Sequence, residues 1–566
     1  MVDLRIAPFY LSDEQIEWVE KTKESLSLEE KIGQLFCFCS RYDAGGEKEL
    51  DEFFSVAQPG AIMLRPMALE KAVEYQNLLQ KKCKIPLLVA ANLESGGNGI
   101  ITEGTHITSP MGIAATGNVD FAKKLGEICA REGSAVGANW AFAPIIDIDF
   151  NFRNPITNTR TFGSNPDTVK AFGKAYVETV QKYGMAASIK HFPGDGCDER
   201  DQHLVTTIND LSCEEWDKTY GAVYGECIQA GAMSVMVGHI MQPAWSRRLN
   251  PTLREEDILP ASLSDELLNG LLRGHLNFNG LICTDASTMC GYAIALDRRK
   301  ALPKSIEAGC DMILFTKNLQ EDYSYVLDGY RSGLISEERL EDALTRILGM
   351  KAALKLPWCD RKYSLEEAEK IVGCAMHHMW AREAADESIT LVKNLDNLFP
   401  LSPEKYKRIL FVPLESGKGM VYSVKDGVCQ RFARLMEKEG FEITMFEPDP
   451  ALEGNMKPYR DYLEAYDLIL YAANIATKSN QTTVRIEWKQ PMGADVPIFI
   501  TTIPTVFVSF ENPYHLLDVP RVRTFINAYS STDDVQEVLV NKLMGRSEFK
   551  GHSPVDAFCG KWDTHL

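Results

Sequence analysis

The stretch LSDELLNGLLRGHLNFNGLICTDASTM (residues 263–289) carries one full beat of the rhythm that organises this chain. Ser264 stands ahead of Leu267, Leu268, Leu271 and Leu272, a capping residue followed by one apolar helical face. Then comes GLICTD (280–285), a short apolar run closed by a single carboxylate. Seven other runs have the same character: QLFCFC (34–39), GAIML (60–64), PLLVAAN (86–92), WAFAPIID (140–147), MAASIKHF (185–192), SVMVGHI (234–240) and DMILF (311–315). Unbroken apolar character suits parallel strands buried on both faces, whereas half-exposed strands alternate.

Helical stretches separate these runs, and LSLEEKIGQL (26–35) opens with a capping box of Ser27 and Glu30. Eight parallel strands with crossover helices close most economically as a (β/α)8 TIM-like barrel, with its chemistry at the C-terminal strand ends. An open doubly wound sheet is the alternative. SEERLEDALTRILGMKAAL (336–354) reads as the closing helix, so the barrel is expected over 1–356, a linker over 357–378 and a second domain over 379–566. ESITLVKN, RILFVPL, DLILYAAN, PTVFVSF and TFINAYS alternate with helical stretches in that second part and predict a smaller α/β sandwich.

Composition bounds the function. A chain of 566 residues exceeds what one core organises, which agrees with two domains. Apolar residues make up 45%, and no apolar run reaches the roughly 18 residues of a membrane span. The net charge of -19 disfavours nucleic acid and anionic lipid as partners. MVDLRIAPFYLSDEQIEW lacks the apolar centre of a secretory signal, and the fourteen cysteines are scattered singly, so a reduced, cytoplasmic protein is expected. No strand is followed by a phosphate-binding glycine loop, and ESGGNG (94–99) reads as a tight turn.

If the eight runs are barrel strands, their polar ends share one rim. Asn92 and Glu94 follow the third run, Asp147 ends the fourth, Lys190 and His191 the fifth, His239 the sixth and Asp285 the seventh. A carboxylate at the end of a buried strand is costly unless it is paired or used. Asp285 reads equally as a helix cap, and Lys190 with His191 equally as an ion pair beside a satisfied histidine. The loop KHFPGDGCDERDQH (190–203) reads as a metal site, a solvated turn or a proton-transfer site. The metal reading lacks a second His or Cys cluster. Asp201 and His203 are spaced i, i+2, so in an extended segment both side chains share a face. The carboxylate then holds one ring nitrogen while the other meets a substrate.

These segments resemble glycoside hydrolase family 3, and within it the β-N-acetylglucosaminidase branch. The resemblance rests on KHFPGDG, the following DQH, the stretch through GLICTDASTM, FAPIIDIDFNFRNPITNTRTFG (142–163), IEAGCDMIL (306–314) and LSLEEKIGQLF. ESITLVKN, VFVSFENPY and SPVDAFCGKWDT extend it through the second part. It implies Asp285 as nucleophile, His203 as general acid/base and Asp201 as its orienting partner. It also implies sugar contacts from Arg160, Lys190, His191, Asn92, Glu94 and His239, with no cofactor and no metal. The reaction it implies is retaining hydrolysis of terminal β-linked N-acetylglucosamine, on an amino-sugar oligosaccharide or cell-wall fragment.

Two positions depart from the family pattern. Asn92 stands where an aspartate is usual, and Asp195 where the branch has histidine. Three rivals remain open. Phosphate can replace water in the second step, because a neutral imidazole repels an anion less than a carboxylate does. A β-glucosidase would draw its acid from the second domain, with Glu487 and Glu511 as candidates. A sugar-binding protein without catalysis is the third.

Overall fold

A segment that is apolar on both sides is stable only where both faces are covered, and each of the eight runs becomes such a strand. The computed structural model describes residues 2–40, 45–360, 362–415, 427–447, 458–477, 479–490, 493 and 495–566. The strands are β1 (Phe36–Cys39), β2 (Ala61–Met63), β3 (Leu88–Ala91), β4 (Trp140–Ala141), β5 (Ala186–Phe192), β6 (Ser234–Val237), β7 (Leu281–Ala286) and β8 (Met312–Leu314). They pair in parallel in chain order, and β8 closes onto β1 with Phe36 opposite Ile313 and Cys37 opposite Leu314. That last pairing makes the sheet a barrel and removes the open-sheet alternative.

Two polar side chains inside the barrel satisfy each other. The Trp140 indole N–H donates to Ser234 Oγ at 2.7 Å, and that hydroxyl donates to the Ala187 carbonyl at 3.0 Å. The helices begin where their caps stand. Ser27 and Glu30 form the capping box of Leu28–Gln34, and Ser336 caps Glu337–Ala353. Ser264 Oγ accepts from the Leu267 N–H at 3.3 Å, and the four leucines of that helix are fully buried.

The second sheet contains β9 (Thr390–Asn394), β10 (Arg408–Glu415), β11 (Glu442–Met445), β12 (Leu468–Asn474), β13 (Thr505–Ser509) and β14 (Thr524–Asn527). Their order is β9-β14-β13-β12-β10-β11, antiparallel only between β9 and β14. Successive side chains alternate between two cores: Ile409, Phe411, Leu468 and Leu470 in one, Leu410, Val412, Ile469 and Tyr471 in the other. This is the α/β sandwich the sequence predicts. β11 has no apolar run because it lies at the sheet edge with exposed and half-buried residues alternating, which is why five runs become six strands.

The chain forms two compact units. One comprises Met1–His106, Ala122–Ile148 and Pro166–His378; the other comprises Ile107–Phe121, Asp149–Asn165 and Met379–Leu566. Two short segments inside the span read as barrel therefore join the second unit, for identifiable reasons. Asp149 accepts hydrogen bonds from Thr157 Oγ1, from the Asn158 N–H and from Tyr514 Oη. Met111 and Ala115 pack in a buried cluster with Tyr514, Tyr529 and Val555. Residues between 357 and 378 pack on the first unit, where Tyr363 N–H donates to Asn77 and Gly373 N–H to Glu132. All fourteen cysteines are free thiols, and among the described residues no helix is long and apolar enough to cross a membrane.

Candidate active site

The C-terminal ends of the barrel strands bring most of the expected residues together within the first unit. Asp285, at the end of β7, has Oδ1 held by the N–H of Ala286 at 2.6 Å, while Oδ2 faces His191 Nε2 at 3.9 Å. That gap is too long for a hydrogen bond and leaves the oxygen available. Burial acts to raise the pKa of this carboxyl, but His191, His239 and His203 around it and the Ala286 N–H outweigh burial and hold it below the usual carboxylate range. Asp285 is an ionised, partly accessible carboxylate at neutral pH. A helix cap has no need of three histidines.

His191 and Lys190, adjacent on β5, are fixed from behind. Asp147 accepts from the His191 backbone N–H at 3.0 Å through Oδ1 and meets His191 Nδ1 at 2.7 Å through Oδ2. The carboxylate therefore holds Nδ1 as the protonated nitrogen, so Nε2 is aimed at Asp285. Lys190 Nζ donates to Glu94 Oε1 at 2.7 Å and reaches Asn92 Oδ1 at 3.5 Å, with only 3% of its side chain exposed. A buried ion pair of this kind orients its two members rigidly and presents their remaining hydrogen-bonding capacity to a polar ligand.

His203 and Asp201 are joined, though in a turn, with the Leu204 N–H on the Asp201 carbonyl, and not in the extended segment that the spacing argument assumed. Asp201 Oδ1 lies 2.7 Å from His203 Nδ1 and also accepts from the His203 backbone N–H at 2.8 Å. The Asp201 side chain is fully buried and the imidazole is 24% exposed, so the pair points its histidine outward. Nε2 makes no hydrogen bond among the described residues, which leaves it to exchange a proton with a ligand.

His239 departs from expectation. The resemblance puts it among the sugar contacts, yet it is fully buried with both ring nitrogens occupied, Nδ1 by Ser262 Oγ at 2.9 Å and Nε2 by the Ala286 carbonyl at 3.0 Å. Burial lowers its pKa against the pull of Asp285, and the ring supports the backbone beside Asp285 instead of meeting a ligand. Arg160 belongs to the second unit, where its guanidinium donates to the Ile156 carbonyl at 3.3 Å. Glu487 and Glu511 are also in that unit. Burial pushes Glu511 up to about 7 against its hydrogen bonds with Ser531, and Glu487 is exposed.

Three acids of the 190–203 loop, left without roles by the sequence, divide clearly. Asp195 is buried, donates its N–H to Asp147 at 2.8 Å and accepts from Gln202 Nε2 at 3.3 Å. Asp198 pairs with Arg200 and accepts from the Ile208 N–H at 3.0 Å, which folds the loop back on itself. Glu199 is exposed. Among the described residues no group of three or more His, Cys, Asp or Glu is arranged to hold a metal ion.

Known proteins resemble this chain in sequence and fold. The sequence model described as "Glycosyl hydrolase family 3 N terminal domain" matches residues 27–350. A Cellulomonas fimi protein named "Beta-N-acetylglucosaminidase/beta-glucosidase" is 49% identical over all of both chains. A solved structure named "Beta-glucoside phosphorylase BglX" is 47% identical, covers 99% of each chain and has a TM-score of 0.92. A β-N-acetylglucosaminidase structure from Paenibacillus sp. str. FPU-7, at 23% identity and a TM-score of 0.78, shares the fold over 95% of this chain.

Proposed function

The chain belongs to glycosyl hydrolase family 3, an enzyme family acting on O-glycosyl bonds, and from that premise we propose a retaining β-glycosidase that removes terminal β-linked N-acetylglucosamine or glucose. The observation that carries it is the pairing of an ionised Asp285 with a separate His203–Asp201 dyad whose Nε2 is unengaged among the described residues. Asp285 Oδ2 attacks the anomeric carbon as His203 Nε2 gives its proton to the leaving oxygen. Asp201 compensates the imidazolium before that transfer and keeps Nδ1 protonated after it. Neutral His203 then takes a proton from the incoming acceptor, whose oxygen displaces Asp285. Lys190, Glu94, Asn92 and His191 hold the sugar hydroxyls, and Arg160 is carried as a further contact on the family resemblance alone.

A second reading, phosphate as acceptor in place of water, is favoured by one feature of the site: the acid/base is an imidazole, uncharged when it receives the second nucleophile. The solved relative at 47% identity, named as a β-glucoside phosphorylase, supports the same reading. The free thiols suit a reducing compartment, and we place the reaction in the cytoplasm, on amino-sugar or glucose-bearing oligosaccharides from cell walls.

Aryl β-N-acetylglucosaminide and aryl β-glucoside, each turned over with and without phosphate, test both readings. Release of free sugar at a rate independent of phosphate supports hydrolysis. Faster turnover with phosphate and appearance of sugar 1-phosphate supports phosphorolysis. No turnover of either glycoside under any condition refutes the glycosidase reading.

A further inference from the structure

Residues 201–205 form a turn, closed by the Leu204 and Val205 N–H groups on the Asp201 carbonyl, and within it Gln202 is turned into the protein while His203 is partly exposed. Gln202 is 1% exposed, and its amide bridges two fixed points. Oε1 accepts from the His239 backbone N–H at 2.8 Å, and Nε2 donates to Asp195 Oδ2 at 3.3 Å. These partners set the amide's orientation, since only the oxygen can face an N–H and only the NH2 can face a carboxylate.

Each partner leads back to Asp285 by a separate route. His239 Nε2 donates to the Ala286 carbonyl at 3.0 Å, and the Ala286 N–H holds Asp285 Oδ1 at 2.6 Å. Asp195 donates its N–H to Asp147 Oδ1 at 2.8 Å, and Asp147 fixes His191, whose Nε2 faces Asp285 Oδ2 at 3.9 Å. The loop is also pinned to the segment after Asp285, by Cys290 N–H on the His203 carbonyl at 3.0 Å and Thr206 Oγ1 on the Gly291 carbonyl at 2.7 Å. Among these ties, Gln202 alone reaches both supports of Asp285 with one side chain.

We propose that Gln202 is a positioning residue that sets the separation between the proton-transfer group and the nucleophile. This rests on the assignment of Asp285 and His203 made above and deepens it. A loop carrying the acid has no regular secondary structure to place it, so its distance from β7 depends on a few ties: the Cys290 N–H on the His203 carbonyl and side-chain bridges of this kind. An error of about 1 Å in such a distance costs about 100-fold in rate. The loss falls on reactions that need the proton most, those with poor leaving groups, because a good leaving group departs without it.

The test measures kcat and KM of the full-length protein on a series of aryl β-glycosides, from 2,4-dinitrophenyl to unsubstituted phenyl, for the wild type, Gln202→Met, Gln202→Glu and His203→Ala. Methionine matches glutamine in length and makes neither hydrogen bond. Glutamate keeps an acceptor for the His239 N–H but sets a carboxylate against Asp195, and it provides the same reading if the methionine variant does not fold. The expected result for Gln202→Met is a kcat loss of at least about 30-fold on the phenyl glycoside and at most about 3-fold on the dinitrophenyl glycoside, with KM nearly unchanged. Gln202→Glu falls between it and the wild type. Equal losses across the series, or none, alongside a steep leaving-group dependence in His203→Ala, overturn the proposal and leave the acid/base assignment standing. A flat dependence in His203→Ala removes that assignment and the proposal with it.

Discussion

Replacing Lys351 by methionine probes the cost of a charge enclosed in the barrel unit. Lys351 lies in the helix Glu337–Ala353, is fully buried, and donates to Gln34 Oε1 at 2.7 Å. Gln34 in turn donates to the carbonyls of Gln58 and Pro59. Among the described residues the ammonium has no carboxylate partner. Burial pushes its pKa from 10.5 down to about 7, with Cys83 opposing weakly. A lysine whose folded pKa is depressed destabilises the fold most below that pKa, and the penalty disappears as pH rises toward the unfolded value. Linkage over a shift from about 10.5 to about 7 gives a penalty of about 4 kcal/mol at pH 7 and about 2 kcal/mol at pH 9. Methionine removes the penalty at both pH values and leaves Gln34 Oε1 unpaired, a cost of about 1–3 kcal/mol that does not depend on pH. The variant is therefore about 1–3 kcal/mol more stable than the wild type at pH 7, and this advantage falls by about 2 kcal/mol by pH 9, where its sign depends on the lost hydrogen bond. Urea unfolding of both proteins at the two pH values, followed through buried Trp140 and Trp216 of the barrel unit, measures it. A difference constant to within about 0.5 kcal/mol would overturn this account, because it would mean that Lys351 titrates alike in both states.

Other outcomes follow from the site. Asp285→Asn keeps the shape of β7 but removes the nucleophile, and kcat on any aryl glycoside is expected to fall at least about 10⁴-fold with the fold intact by circular dichroism. Asp201→Asn leaves His203 with a neutral partner, so kcat drops about 10²- to 10⁴-fold, most for poor leaving groups, in steady-state assays. Lys190→Met breaks the Lys190–Glu94 ion pair and strips a hydroxyl contact; KM is expected to rise at least about 10-fold, measured against the same glycosides. A Cβ on Gly291 would stand 2.4 Å from the Gln202 carbonyl and 2.8 Å from that of Val205, so Gly291→Ala pushes the dyad's loop away. Its kcat should fall about 10-fold or more with little change in melting temperature, and unchanged kcat would show that the loop absorbs the methyl group.

Legibility in the sequence depended on how local each cause was. The eight barrel strands are readable because burial on both faces leaves an unmistakable apolar run, and the capping boxes because their partners are three residues apart. Asp285 stands out as a carboxylate closing such a run; Asp201 and His203 do meet, but through a turn in which the His203 N–H also bonds Asp201, and not through the shared face of an extended segment. β11 is not readable, since an edge strand has no need of a continuous apolar face. Nor is the membership of residues 107–121 and 149–165 in the second unit, which depends on partners such as Tyr514 and Pro554, several hundred positions away. His239 misleads because a strand end points to the rim in general, while the direction of one ring is settled by Ser262 and the Ala286 carbonyl.

Local sequence specifies the kind of barrel, the rim on which chemistry can occur and the residue types present there, because periodicity and strand ends are properties of neighbouring residues. How those residues are used is set by the assembled fold. It puts Asp147 behind His191, turns His239 inward, leaves Nε2 of His203 without a hydrogen bond among the described residues, and joins Gln202 to both supports of Asp285. Apart from the Gln202–Asp195 bond, each of those outcomes is a contact between segments about forty residues apart or a choice of side-chain direction within a packed interior. Such choices are made by excluded volume and hydrogen-bond partners brought together in three dimensions, which no local stretch of the chain contains.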